Sequence, residues 1–163
     1  MLRRRRPRPD PGRDTIAGLC AQAEQMLAAL GLSGQFSPAT LHESVQRHRG
    51  REVQLIARDL PPPAPHGLLI VTGHADYVFY DDAADPVRRH QIIGHEFGHL
   101  LFDDQPGAGP WHRSHYEAAA ERRAEVFGTV ALQHLADWSV PHADQVEQTT
   151  LERITAALAG RRG

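Results

Sequence analysis

Apolar residues recur along this chain at two spacings, and the spacing predicts the elements. Ile16, Leu19, Cys20, Ala23, Met26, Leu27 and Leu30 fall on one face of a helix over 14–31, with Gly31 as its stop. Ser37-Pro38 opens a second helix that runs to about His48, with Leu41 and Val45 facing inward and Gly50 ending it. The period then drops to two. Val53, Leu55 and Ala57 alternate with polar neighbours over 52–58, Leu-Leu-Ile-Val fills a continuous run over 67–72, and Tyr-Val-Phe-Tyr occupies 76–80. The continuous run reads as the central strand, and the short turn at 73–76 makes a hairpin of the last two strands. The Pro-rich segment 61–65 reads as a stiff spacer.

Helical spacing returns at Asp85-Pro86, a cap followed by proline at the first helical position. Ile92, Ile93, Phe97, Leu100 and Leu101 predict a buried helix over 86–102, ended by Asp103-Asp104-Gln105-Pro106-Gly107. Gly94 and Gly98 each cost about 1 kcal/mol relative to alanine in a helix interior. They stand one turn apart, so the face they share is expected to press against another backbone. A further helical block spans 114–138, and 141–159, with Val146, Leu151, Ile154 and Leu158, predicts a terminal helix.

The chemistry sits on the buried helix. His95-Glu96-Phe97-Gly98-His99 reads H-E-x-x-H. In a helix this spacing aims two imidazoles at one metal ion and places the glutamate beside a bound water. The chain holds 11 histidines in 163 residues, and at that composition about 0.04 chance matches are expected. Two conditions therefore decide: a helix beneath the motif, and a third ligand from another element. The next helix offers Glu117, Glu121 and Glu125 at i, i+4, i+8 on one face. Such a stripe can equally be a solvated acidic face paired with Arg122 and Arg123. Its position about twenty residues after the motif favours a ligand among the three.

His95–His99 with Leu100, followed by Glu121-Arg122-Arg123-Ala124-Glu125-Val126-Phe127-Gly128, resembles the ImmA/IrrE family of metallopeptidases over roughly residues 67–135. The resemblance implies an α+β, zincin-like single domain: a small three-stranded sheet against a metal-binding helix and a glutamate-bearing helix, with flanking N- and C-terminal helices. It implies one Zn2+ per chain held by His95, His99 and Glu121, with Glu96 as general base. Glu125 is either a group bonded to a ligand histidine or an alternative ligand. It implies an intracellular, cytoplasmic zinc endopeptidase acting on a regulator such as a helix-turn-helix repressor. Some relatives are toxin-like. This chain departs from the common pattern after Phe127, at Gly128-Thr129-Val130-Ala131-Leu132, which bears on the cleft more than on the metal site. By the same analogy, the strand at 76–80 is the expected edge on which an extended substrate adds.

Between the two motifs, His112, His115 and Tyr116 are candidate donors to a tetrahedral oxyanion. His42, His48, His66, His90, His134 and His142 read as surface residues, and Trp111 and Trp138 as packing anchors. The net charge of −2 and 40% apolar content fit an ordinary globular domain over 14–163 and argue against a polyanion binder. Residues 1–13 form a basic, Pro/Arg-rich arm, expected to be disordered, with nucleic-acid contact the lesser alternative. One cysteine, Cys20, permits no internal disulfide. No apolar run is long enough to span a bilayer, and no export signal is read after Arg3–Arg6. The competing function is a zinc-containing module that grips a transcription factor without cutting it. A DNA-binding regulator using the arm ranks third.

Overall fold

The computed structural model describes residues 12, 14–59, 67–103 and 118–141. Four helices and a three-stranded sheet follow in the order α1 (Ile16–Ala29), α2 (Pro38–Arg49), β1 (Glu52–Arg58), β2 (Gly67–Val71), β3 (Ala75–Asp81), α3 (Pro86–Leu101) and α4 (Ala118–His134). Local chemistry sets the boundaries. The Thr15, Ser37 and Asp85 side chains accept from the backbone N–H groups of Gly18, Thr40 and Arg88, satisfying donors that the first turn leaves over. Gly50 closes α2 in the left-handed region at φ 63°, where a side chain would be strained. Apart from Gly12 and Pro141, the arm at 1–13 and the terminal helix expected over 141–159 lie outside the described residues, as does the spacer at 61–65.

Strand order is β1-β3-β2, with β1 parallel and β2 antiparallel to β3. The hairpin at 73–74 is as expected, and Thr72 holds it by donating to the Ala75 carbonyl and accepting from the Ala75 N–H. The expected centre of the sheet is corrected. β3 is central and β2 is an edge. The reason lies in what each strand buries. Asp76, Tyr77, Val78, Phe79 and Tyr80 are all buried, whereas Val71 in β2 is exposed. The tyrosines of β3 lend a half-polar look to a strand that is covered on both faces.

The sheet has two apolar faces. Val53, Leu55, Leu69, Val78 and Tyr80 join the main core with the helices, while Ile56, Ala75, Tyr77 and Phe79 form a smaller cluster on the opposite face. α3 packs against β2 and β3, α2 against β1 and α3, and α1 against α4. Arg49, at the end of α2, ties three elements together. Its Nε donates to the fully buried Asp76 at 2.9 Å, and its Nη1 bonds Asp103 at 2.8 Å and the Leu100 carbonyl at 3.3 Å. The Leu100 bond supplies a donor to the C-terminus of α3, whose last carbonyls have no partner within the helix.

α3 and α4 run antiparallel in unusually close contact. A Cβ on Gly94 would lie 3.0 Å from the Gly128 Cα, and one on Gly98 would lie 2.8 Å from the Ala124 Cα. The two glycines of the H-E-x-x-H helix are thus paired with two small residues of α4, also one turn apart. Any side chain at Gly98 would meet backbone and push the helices away from each other. This seam accounts for the helix-propensity cost of both glycines, because it sets α4 near enough for its glutamates to reach the histidines of α3.

Candidate metal centre

His95 and His99 rise from the last two turns of α3, and Glu121 from the first turn of α4. Their ligand atoms converge. His95 Nε2 stands 3.2 Å from His99 Nε2 and 3.3 Å from Glu121 Oε2, and His99 Nε2 stands 3.5 Å from Glu121 Oε1. The three residues form a group that could hold a metal ion. The fit is quantitative: with bonds of about 2.0–2.1 Å to nitrogen and oxygen, ligands at the corners of a tetrahedron are about 3.3 Å apart. His99 is almost fully buried, while His95 and Glu121 are partly open. A site of this kind is anchored on one side and accessible on the other.

The acidic stripe of α4 does not face solvent as a unit. Glu121 lies on the Nε2 side of both histidines, and Glu125 approaches the other nitrogen of His95, with Oε2 3.5 Å from Nδ1. That Nδ1 is buried without a hydrogen bond, so Glu125 is in ion-pair reach and just short of a bond. Glu125 is itself held: Gln91 donates to its Oε1 at 3.2 Å, and Arg88 donates to the Gln91 side-chain oxygen at 2.8 Å. If Glu125 fixes the tautomer of His95, Glu125→Ala should weaken metal binding about 10- to 100-fold. Competition with a chromophoric chelator measures this, and unchanged affinity would remove Glu125 from that role.

Glu96 is buried, and its carboxyl is pushed up from 4.5 to about 8, first by desolvation and then by the Glu121 carboxylate. A divalent cation between the histidines and Glu121 would offset both effects. Glu96 lies against the start of β2. A Cβ on Gly67 would fall 2.6 Å from Glu96 Oε1 and from Ile92 Cγ2, so glycine at 67 leaves the carboxylate its place. Beside it opens a cavity of about 250 Å³. Its wall includes Gly67, Arg88, Gln91, His95, Glu96 and Glu125.

Phe97 is clamped on the opposite side of the motif. The His42 ring stacks parallel to it with centroids 6.1 Å apart, and the His42 Nε2 bonds the Val53 carbonyl. His42 is therefore a packing residue and not a surface one. His90 is buried too, correcting its surface assignment. Burial pushes its pKa down, and its ring meets Trp138 at 5.9 Å. Trp138, expected as a packing anchor, is 46% exposed. His112, His115, Tyr116, Trp111 and Glu117 lie outside the described residues.

The structure brings together His95, Glu96, His99, Glu121 and Glu125. Sequence reasoning missed Gly67, Arg88 and Gln91. Arg88 and Gln91 had a usable signal, since they precede His95 by seven and four residues on the same helical face. Gly67 had none, because its role depends on where β2 meets α3. No helix among the described residues is long and apolar enough to cross a membrane. The chain matches no protein-family model, no curated protein and no solved structure.

Proposed function

We propose that the chain is a zinc-dependent endopeptidase of the zincin type, similar to the ImmA/IrrE metallopeptidases, acting in the cytoplasm on a regulatory protein such as a helix-turn-helix repressor. One observation carries this reading: three ligand atoms 3.2–3.5 Å apart, with a buried carboxylate next to them at the wall of an open cleft. A closed structural site would use a fourth protein ligand and would have no use for Glu96. Two imidazoles and a carboxylate favour zinc over the harder cations.

Zinc bound here would supply a Lewis acid that lowers the pKa of water and polarises a peptide carbonyl. The protein's own part is proton management and positioning. Glu96 takes a proton from water as the new C–O bond forms and returns it to the amine when the peptide C–N bond then breaks. Glu125, to which Gln91 donates, stands 3.5 Å from His95 Nδ1, and a bond accepted from that nitrogen would favour the tautomer that leaves Nε2 free. The edge of β2 that pairs with no other described strand, starting at Gly67 beside Glu96, is the place for an extended substrate to add as a strand. β3 cannot take that part, being paired on both sides.

The test joins metal content with cutting. The purified chain should contain about one zinc and should cleave a helix-turn-helix regulator encoded beside it, with cleavage stopped by chelation and restored by zinc. Zinc with tight binding and no cutting would replace the protease by a gripping module. Absence of metal after zinc loading would overturn both.

A further inference from the structure

Among the described residues, Arg88 is the one Arg or Lys in the wall of the cavity beside the candidate metal group. It stands in the first turn of α3, on the same face as Gln91 and His95 and two turns before His95, about 10 Å along the axis. One nitrogen, Nη1, is engaged by Gln91 at 2.8 Å. No carboxylate among the described residues pairs with the guanidinium. Asp85 is close in sequence, but its carboxylate caps the Arg88 backbone N–H at 3.0 Å. The neighbouring Arg89 differs, being spent on the carbonyls of Ala84 and Asp82 at 2.8 Å each.

A cation in the first turn opposes the helix dipole, and the Asp85 carboxylate at the cap offsets that opposition. The same wall carries Glu96 and Glu125, and the Gln91 amide lies between Arg88 and Glu125. One cavity thus has carboxylates beside the metal group and, two turns before His95 on α3, an exposed guanidinium. An acidic group is repelled at the first and attracted at the second.

We propose that Arg88 is a specificity residue that receives an acidic side chain of a peptide lying in this cavity, within about three residues of the bond presented to the metal group. The reach follows from about 10 Å of helix against about 3.4 Å per residue of extended chain. The inference rests on reading the cavity as the peptide cleft of the proposed endopeptidase. Gln91 orients the guanidinium through Nη1 and leaves its other nitrogens for a two-pronged carboxylate contact. The exposed setting limits the gain to about fivefold in affinity, weakened by salt.

The experiment uses the full chain loaded with zinc and carrying Glu96→Gln, so that binding is read without turnover. Fluorescein-labelled decapeptides carry a single Glu at each position in turn, each matched to a Gln counterpart. Anisotropy should show tighter binding of the Glu peptide at one position, about fivefold at low salt. At saturating zinc, with metal content and circular dichroism checked for each protein, Arg88→Ala should abolish that preference and Arg88→Glu should reverse it. Wild-type protein is then assayed for cutting of the same pairs. A preference that depends on Arg88 in binding, with no cutting, sustains the inference and sinks the endopeptidase. Cutting with no Glu preference sustains the endopeptidase and overturns the inference. Equal affinity for all pairs, or a preference that survives Arg88→Glu, also overturns it.

Discussion

Glu96→Gln protein is expected to keep its zinc and lose peptide hydrolysis by about 10²- to 10⁴-fold, the usual worth of a positioned general base. The two halves of this expectation come from different parts of the geometry. The His95, His99 and Glu121 ligand atoms face one another without Glu96, so an amide at 96 leaves the metal group whole. Gln has the size of Glu and fits the space beside Gly67, but it cannot accept and return a proton. Metal analysis and hydrolysis of one peptide by both proteins give the result. His99→Ala is the contrasting variant, because it removes a ligand atom that is 3.2 Å from His95 Nε2 and 3.5 Å from Glu121. Retained hydrolysis in Glu96→Gln would break the assignment of Glu96. Loss of zinc in that variant would mean that the carboxylate is itself a ligand.

Much of this arrangement was legible in the sequence where short-range physics decides. The caps at Ser37 and Asp85 and the stop at Gly50 act within one turn, so the helix bounds follow from residue type. The spacing of His95 and His99 fixes their common face, and Gly94 with Gly98 announced a close backbone. What the sequence withheld depends on how elements meet. Strand order could not be read, because β2 and β3 are both apolar and only tertiary pairing separates an edge from a centre. Glu121 and Glu125 share one face of α4. Only the seam of Gly94 on Gly128 and Gly98 on Ala124 sets one at the Nε2 side of the histidines and the other at His95 Nδ1. His42 and His90 looked like surface residues since nothing local marks a histidine as buried. Their partners, Phe97 and Trp138, lie about fifty residues away in the chain.

The metal-free protein should lose stability as pH rises, and Glu96 should be a main reason. Its carboxyl titrates near 4.5 when exposed and at about 8 in the fold. Between those values the folded chain holds a proton that the unfolded chain has released, so raising the pH favours unfolding. The contribution is complete below about pH 4.5 and is lost as pH passes through 8. A shift of this size corresponds to a ceiling of about 5 kcal/mol, reduced in practice by water reaching the partly open site. Urea unfolding of metal-free wild type and Glu96→Gln isolates the group from every other carboxylate. The two should be alike at pH 5, and the Gln protein should be the more stable by several kcal/mol at pH 9. Zinc should narrow the difference, because a cation at His95, His99 and Glu121 offsets the repulsion that Glu121 exerts on Glu96. It should also stabilise the wild type by about 4 kcal/mol at a thousandfold excess over its dissociation constant. Parallel pH profiles for the two metal-free proteins would show that Glu96 is solvated and ionised in the fold. The proton-transfer role would then have to rest on an ordinary surface carboxylate, and burial beside Gly67 would lose its purpose.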